Sequence, residues 1–150
     1  MSRAFLDANL PIYAAGRPHS LKIPCEDVLA FVSQHEGRFI TSAEVLQELV
    51  HVYRAVHAWT DRGARVFADF ARLMEGRTES LLAEDVLRGA ELADTYPRLS
   101  ARDLVHVAVM ERAGATAIVT ADTSFDNLHG IERLDPAKAT RWLLRFEDES

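Results

Sequence analysis

Ala117-Ile118-Val119-Thr120-Ala121-Asp122-Thr123-Ser124-Phe125-Asp126 is the stretch on which the reading of this chain turns. Its first four residues form a short apolar, β-branched run, the pattern of a buried strand. A carboxylate follows almost at once. A negative charge at the end of a buried strand is costly unless something pairs with it. The same arrangement occurs near the N-terminus, where Ala4-Phe5-Leu6 runs into Asp7.

Further short runs at 38–41, 80–83 and 131–134 complete a set of strand candidates, the last at a sheet edge. Between them lie stretches with helical periodicity at 26–35, 43–57, 60–74, 85–95, 101–113 and 136–144. Gly37, Gly76, Gly114 and Pro97 supply stops, and Asp135 is placed to cap the last helix. Strands that alternate with helices predict an α/β fold, a three-layer sandwich around a mostly parallel central sheet. In such folds ligands bind outside the carboxyl ends of the strands, where the strand order reverses. Asp7 and Asp122 fall just past strand ends. Glu48 and Asp103 fall in the first two turns of helices that can border the same edge.

The chain has 150 residues, the size of a single domain spanning residues 1–150. At this length about 68–70% of the unfolded surface can be buried, so no staples are needed. The composition is 48% apolar and 27% charged, ordinary for a globular protein. Disorder is expected only in the acidic tail 147–150. Cys25 is the single cysteine, which excludes an internal disulfide and a Cys/His zinc cluster. No apolar run approaches the roughly 18 residues of a membrane span, and no signal peptide is visible. The expectation is a cytoplasmic protein with no membrane association. The net charge of −6 runs against a nucleic-acid role, which usually asks for a basic face. Clustered active-site acids would lower the sum and still leave local basic patches, and the acidity would also suit a basic partner.

Each acid has a plain structural alternative. Asp7 in Leu6-Asp7-Ala8-Asn9 suits a turn. Thr41 and Glu44 fit a capping box, which accounts for Glu44 but not for Glu48 one turn on. Asp103 fits the N3 position of a second box opened by Ser100, where a carboxylate is stabilised by the helix dipole. Asp122 and Asp126 suit a polar loop. Gathered in one pocket, however, these charges would repel. Two of them about 4 Å apart cost roughly 4 kcal/mol at an effective dielectric of about 20. A divalent cation removes that penalty, and an all-carboxylate set suits Mg²⁺ or Mn²⁺. Asn9 would orient Asp7 as an outer partner. No HExxH pair, glycine-rich phosphate loop or Gly-x-Ser-x-Gly elbow is present. A phospho-receiver module would need a lysine after a central strand, and the only lysines are Lys22 and Lys138. His106, one turn after Asp103, reads first as a packed or solvent-facing side chain, with an outer-partner or RNA-contacting role behind that.

Taken in order, Phe5-Leu6-Asp7-Ala8-Asn9, Val45-Leu46-Gln47-Glu48-Leu49, Arg102-Asp103-Leu104-Val105-His106-Val107-Ala108, Val119-Thr120-Ala121-Asp122 with Phe125-Asp126, and Ile131-Glu132-Arg133-Leu134-Asp135-Pro136 resemble the PIN-domain family, and within it the VapC-like toxins of toxin–antitoxin pairs. The resemblance covers nearly the whole chain. It implies that Asp7, Glu48, Asp103 and Asp122 are the catalytic, metal-binding acids, that Thr120 matches the family's hydroxyl residue, and that Asp126 is a helper. It implies a Mg²⁺-dependent endoribonuclease that cleaves RNA with metal-activated water, a cognate antitoxin partner and a homodimer. RNA would approach across basic side chains, with Arg54, Arg102 and His106 as candidate contacts, Arg62, Arg65 and Arg72 behind them, and Tyr53 or Trp59 able to stack a base. The alternative is a non-catalytic PIN-like module that binds RNA or protein.

Overall fold

The computed structural model describes residues 2–55 and 59–147. Five parallel strands form one sheet in the order β3-β2-β1-β4-β5: β1 Ala4–Leu6, β2 Phe39–Ser42, β3 Thr78–Glu79, β4 Ala117–Val119 and β5 Glu132–Leu134. Helices α1 Asn9–Ala15, α2 Lys22–Gln34, α3 Ala43–Ala55, α4 Ala64–Leu73, α5 Ala83–Leu92, α6 Ala101–Ala113 and α7 Ala139–Trp142 connect and flank them. This is the α/β sandwich that strand–helix alternation predicts. β1 and β4 are wholly buried, as a parallel sheet covered on both faces requires.

The order turns at β1. The chain first builds outward through β2 and β3, then returns to lay β4 on the other side of β1. The carboxyl ends of β1 and β4 therefore flank the point where the direction of winding changes, which opens a crevice. Register sets what faces it. Leu6 pairs with Val119, so Asp7 and Thr120 leave the sheet side by side.

Several local expectations are corrected. The strand expected at 80–83 lies instead at Thr78–Glu79, where Thr41 and Ser42 pair with it. Leu81 and Leu82 stay partly exposed, and the Asp85 carboxylate accepts from the Leu82 N–H to open α5 two residues earlier than expected. Helix α1 was not foreseen, and α2 begins at Lys22 rather than residue 26. Both carry a proline in their first turn, Pro11 and Pro24, where the missing N–H costs nothing because first-turn N–H groups have no intrahelical partner. The stretch 60–74 is not one helix: a wide turn Trp59–Gly63 contains an extended Thr60 and precedes α4. The last helix, expected at 136–144, is a tight turn Pro136–Lys138, then α7, then a second tight turn Leu143–Phe146, with Asp135 capping as expected. The expected end of the third helix at residue 57, and the tail at 148–150, lie outside the described residues. No described helix is long and apolar enough to cross a membrane.

Candidate active site

Asp7 is the centre of the crevice and is buried, with 6% of its surface exposed. Its two oxygens are held differently. Oδ1 accepts from the Ala8 N–H at 2.8 Å, and Oδ2 accepts from the Thr120 hydroxyl at 2.8 Å. Asn9, at the start of α1, donates from Nδ2 to Thr120 Oγ1 at 2.8 Å and to Asp7 Oδ2 at 3.4 Å, and its Oδ1 accepts from the Ala121 N–H at 3.3 Å. Thr120 Oγ1 also accepts from the Asp122 N–H at 3.1 Å. Asn9 and Thr120 thus clamp the end of β1 to the end of β4 and fix the carboxylate between them.

Glu48 reaches the same place from the second turn of α3, which Ser42 starts by accepting from the Val45 N–H at 3.3 Å. The expected cap, Thr41, is buried and turns its hydroxyl to the Leu6 carbonyl at 2.9 Å, so the hydroxyl that serves the helix is one residue later. Glu44 is held by Arg102 at 3.2 Å, and the same guanidinium lies 3.4 Å from Glu48 Oε1. That leaves Glu48 Oε2 aimed inward, buried and without a hydrogen-bond partner.

His106, on the inner face of α6, closes the group. Nε2 stands 3.6 Å from Glu48 Oε2 and 4.0 Å from Asp7 Oδ1, ion-pair rather than hydrogen-bond distances, and among the described residues neither ring nitrogen has a hydrogen-bond partner. The Phe5 ring packs against the imidazole with centroids 5.4 Å apart. The ring is 0% exposed, so the expected RNA contact by His106 is corrected: a side chain with no solvent-facing surface cannot touch a strand passing outside. Among the described residues, Asp7, Glu48 and His106 form the group whose ligating atoms all lie within 4.8 Å of one another.

Asp103 and Asp122 stand outside that close group but in its field. Burial raises the Asp103 carboxyl; Ser100 and His106 oppose that, and Asp122 pushes it further up. The Asp103 N–H donates to Ser100 Oγ at 3.2 Å, so the cap read at Ser100 is present. Asp122 is exposed and accepts from the Ser124 N–H and hydroxyl at 2.9 and 2.7 Å. Asp126 is bound by Arg133 at 2.6 Å, and Arg133 also donates to the Thr120 carbonyl at 3.1 Å. Asp126 thereby anchors the loop that carries Asp122.

The electrostatics divide the acids: Asp7 and Asp103 end raised, whereas Glu48 has His106 and Arg102 as counter-charges. Burial raises the Asp7 carboxyl well above its ordinary value, against the pull of His106 and Thr120. Burial pushes Glu48 the same way, but His106 and Arg102 together outweigh it and the carboxyl ends lowered. Burial would lower the His106 imidazole, yet Glu48, Asp7 and Asp103 prevail and raise it. A divalent cation fits this donor set. Two carboxylates and an imidazole converge, and among the described residues Glu48 Oε2 and the imidazole nitrogens have no hydrogen-bond partner to lose.

A PIN-domain family model matches residues 4–131, and the chain belongs to the PIN-domain family. It is 38% identical over 121 residues to Ribonuclease VapC23 of Mycobacterium tuberculosis (strain CDC 1551 / Oshkosh), covering 79% of this chain and 91% of that one. It is 35% identical over 134 residues to Ribonuclease VapC7 of M. tuberculosis (strain ATCC 25618 / H37Rv), covering 89% and 92%. A DNA-bound VapBC structure from Salmonella typhimurium shares the fold, with a TM-score of 0.65 at 18% identity, covering 91% of this chain and 99% of that one.

Proposed function

We propose that this protein is a metal-dependent endoribonuclease, the toxin of a toxin–antitoxin pair. The observation that carries the reading is Asp7, a carboxylate buried at the turning point of the sheet beside Glu48 and His106, in a chain whose relatives are named VapC ribonucleases. Asp7, Glu48, Asp103 and Asp122 are the residues we assign to metal binding. A Mg²⁺ or Mn²⁺ ion held there would acidify a water and neutralise charge on the scissile phosphate. The chain's own contribution is orientation: Thr120 and Asn9 fix the Asp7 carboxylate, and Arg102 fixes one oxygen of Glu48 while leaving the other free.

A cavity of about 780 Å³ lies farther along α1 and α3, lined by Tyr13, Arg17, His19, Tyr53 and Arg62 among others. Tyr13 lies on α1, which Asn9 starts, and Tyr53 on α3, which carries Glu48, so the same two helices contribute to this cavity and to the crevice. Its aromatic rings and guanidiniums suit an unpaired base and its phosphate. Arg54, next to Tyr53 in sequence, is exposed on the last described turn of α3, whereas Arg102 is half-exposed with its charge taken up by Glu44 and Glu48. The antitoxin we place in a second, more apolar groove of about 370 Å³ between α1, α2 and α4, lined by Ala14, Leu29, Val66, Phe70 and Leu73. The homodimer we place on Leu81, Leu82, Val86 and Leu87, exposed apolar side chains just before and within the start of α5.

The test is cleavage of total RNA by purified protein. Cleavage is expected with Mg²⁺ or Mn²⁺, none with EDTA or in Asp7→Asn, and the products should carry 5′-phosphate and 3′-hydroxyl ends. Cleavage that survives complete chelation, or that Asp7→Asn retains, overturns the reading.

A further inference from the structure

The sequence pointed to a site made of carboxylates alone. The structure adds an imidazole to two of those carboxylates. Both His106 nitrogens are buried and unpartnered, and Glu48 Oε2, which faces Nε2 at 3.6 Å, is unpartnered too. Buried polar groups without partners are rare, and each calls for an unseen one. Nε2 lies within ion-pair reach of two carboxylates, 3.6 Å from Glu48 Oε2 and 4.0 Å from Asp7 Oδ1, and neither contact is closed to hydrogen-bond length. The spacings of 3.6 and 4.0 Å suit ligands arranged around one ion: donors about 2.1 Å from a metal stand roughly 3 Å apart when adjacent and roughly 4.2 Å apart when opposite.

The helix supplies a second argument. Asp103 and His106 are three residues apart on α6, so carboxylate and imidazole project from one face. Asp103 stands outside the close group and adds its negative charge beside the imidazole. The Phe5 ring packed on the imidazole restricts its swing.

We infer that His106 Nε2 is a direct metal ligand, completing a mixed nitrogen–oxygen site with Asp7 and Glu48, and that this site selects Mn²⁺ over Mg²⁺. The selectivity follows from donor chemistry. Mg²⁺ prefers oxygen ligands and keeps its waters, whereas an imidazole adds affinity for transition ions. This inference rests on the metal-dependent reading above and refines it.

The experiment is Mn²⁺ titration of the full chain followed by electron spin echo spectroscopy, which detects a nitrogen bonded to the ion without any need for RNA. Wild type should bind Mn²⁺ with a directly coordinated ¹⁴N signature. His106→Gln should keep binding but lose that signature, and its preference for Mn²⁺ over Mg²⁺ should fall at least about tenfold. Mn²⁺ bound at the Asp7-dependent site without a nitrogen signature in wild type overturns the inference and leaves the nuclease proposal standing. No binding of either ion in wild type, or binding that Asp7→Asn does not weaken, sinks both. The wild-type spectrum decides the matter even where His106→Gln fails to fold, and His106→Asn gives a second substitution of smaller volume.

Discussion

Asn9 and Thr120 are 111 residues apart in sequence and joined by a 2.8 Å hydrogen bond. Through it the start of α1 and the end of β4 hold the Asp7 carboxylate as a single unit. Thr120 donates to that carboxylate and, through the same oxygen, accepts from Asn9 and from the Asp122 backbone.

Thr120→Val keeps the shape of the residue and removes that junction. RNA cleavage should fall about 10–100-fold, the scale of losses when partners of a metal ligand are removed. The melting midpoint should drop by no more than about 1–2 kcal/mol equivalent, because Asp7 retains the Ala8 N–H. Thr120→Ser should restore most of the activity. A Val variant with wild-type kinetics would show that the hydroxyl has no part in positioning Asp7.

Asp7→Asn separates chemistry from stability. In EDTA the variant should melt at or above the wild-type temperature while cleavage is lost. The reason lies in the direction of the Asp7 shift. Its folded carboxyl titrates above the ordinary 3.8, chiefly through burial, so the folded state favours the protonated form. Such a group's contribution is fully present below 3.8 and is lost as pH rises through the folded value. The advantage of Asn over Asp should therefore be absent in strong acid and grow toward neutrality, as measured by thermal melts across pH without metal.

Two glutamates on α3 should behave differently. Glu48→Gln should lower cleavage by about a hundredfold or more. Glu44→Gln, whose carboxylate meets Arg102, should cost less than about tenfold. Rates measured side by side at saturating Mn²⁺ decide this, and the reverse ranking would transfer the ligand role to Glu44.

A pH effect of opposite sign belongs to Asp85. Its buried carboxylate accepts from Arg112 at 2.9 and 3.1 Å and from the Leu82 N–H at 2.9 Å. Arg112 holds it below the ordinary 3.8, against the opposing effect of burial. A depressed carboxyl stabilises the fold above its unfolded value and loses that contribution as pH falls through the folded one. Arg112→Gln should thus cost about 1–3 kcal/mol at neutral pH and progressively less below about pH 4, in denaturant melts. A pH-independent loss would mean that packing, and not charge, is what Arg112 supplies.

The groove between α1, α2 and α4 can be tested apart from the crevice. Leu29→Glu and Val66→Glu change half-buried apolar side chains in it. RNA cleavage should remain while inhibition by the product of an adjacent small antitoxin-like reading frame is lost. Inhibition equal to that of wild type would place the antitoxin elsewhere.

The sheet was legible because its strands are short apolar runs with charge at one end, and the parallel order follows from their alternation with helices. β3 was misplaced because its two paired residues, Thr78 and Glu79, are polar, whereas the apolar Leu81-Leu82 next to them belongs to a helix entrance. Helix α1 was hidden by Pro11, which reads as a breaker unless the first turn is recognised. The acids could be found by their position after strands. His106 could not be weighed correctly, because a histidine on an apolar helix face looks the same in sequence whether it packs or binds. Only its two unpartnered nitrogens in three dimensions distinguish the cases. The signal that was available was its spacing from Asp103.

The wide separation of the residues around Asp7 bears on how this protein is made. The carboxylate leaves the ribosome early, but the hydroxyl that positions it follows 113 residues later and arrives only when β4 docks beside β1. A growing chain therefore carries no assembled cutting centre while most of it is still being translated, and gains one only as the domain closes as a unit. Synthesis itself imposes a delay between the first appearance of Asp7 and a complete site.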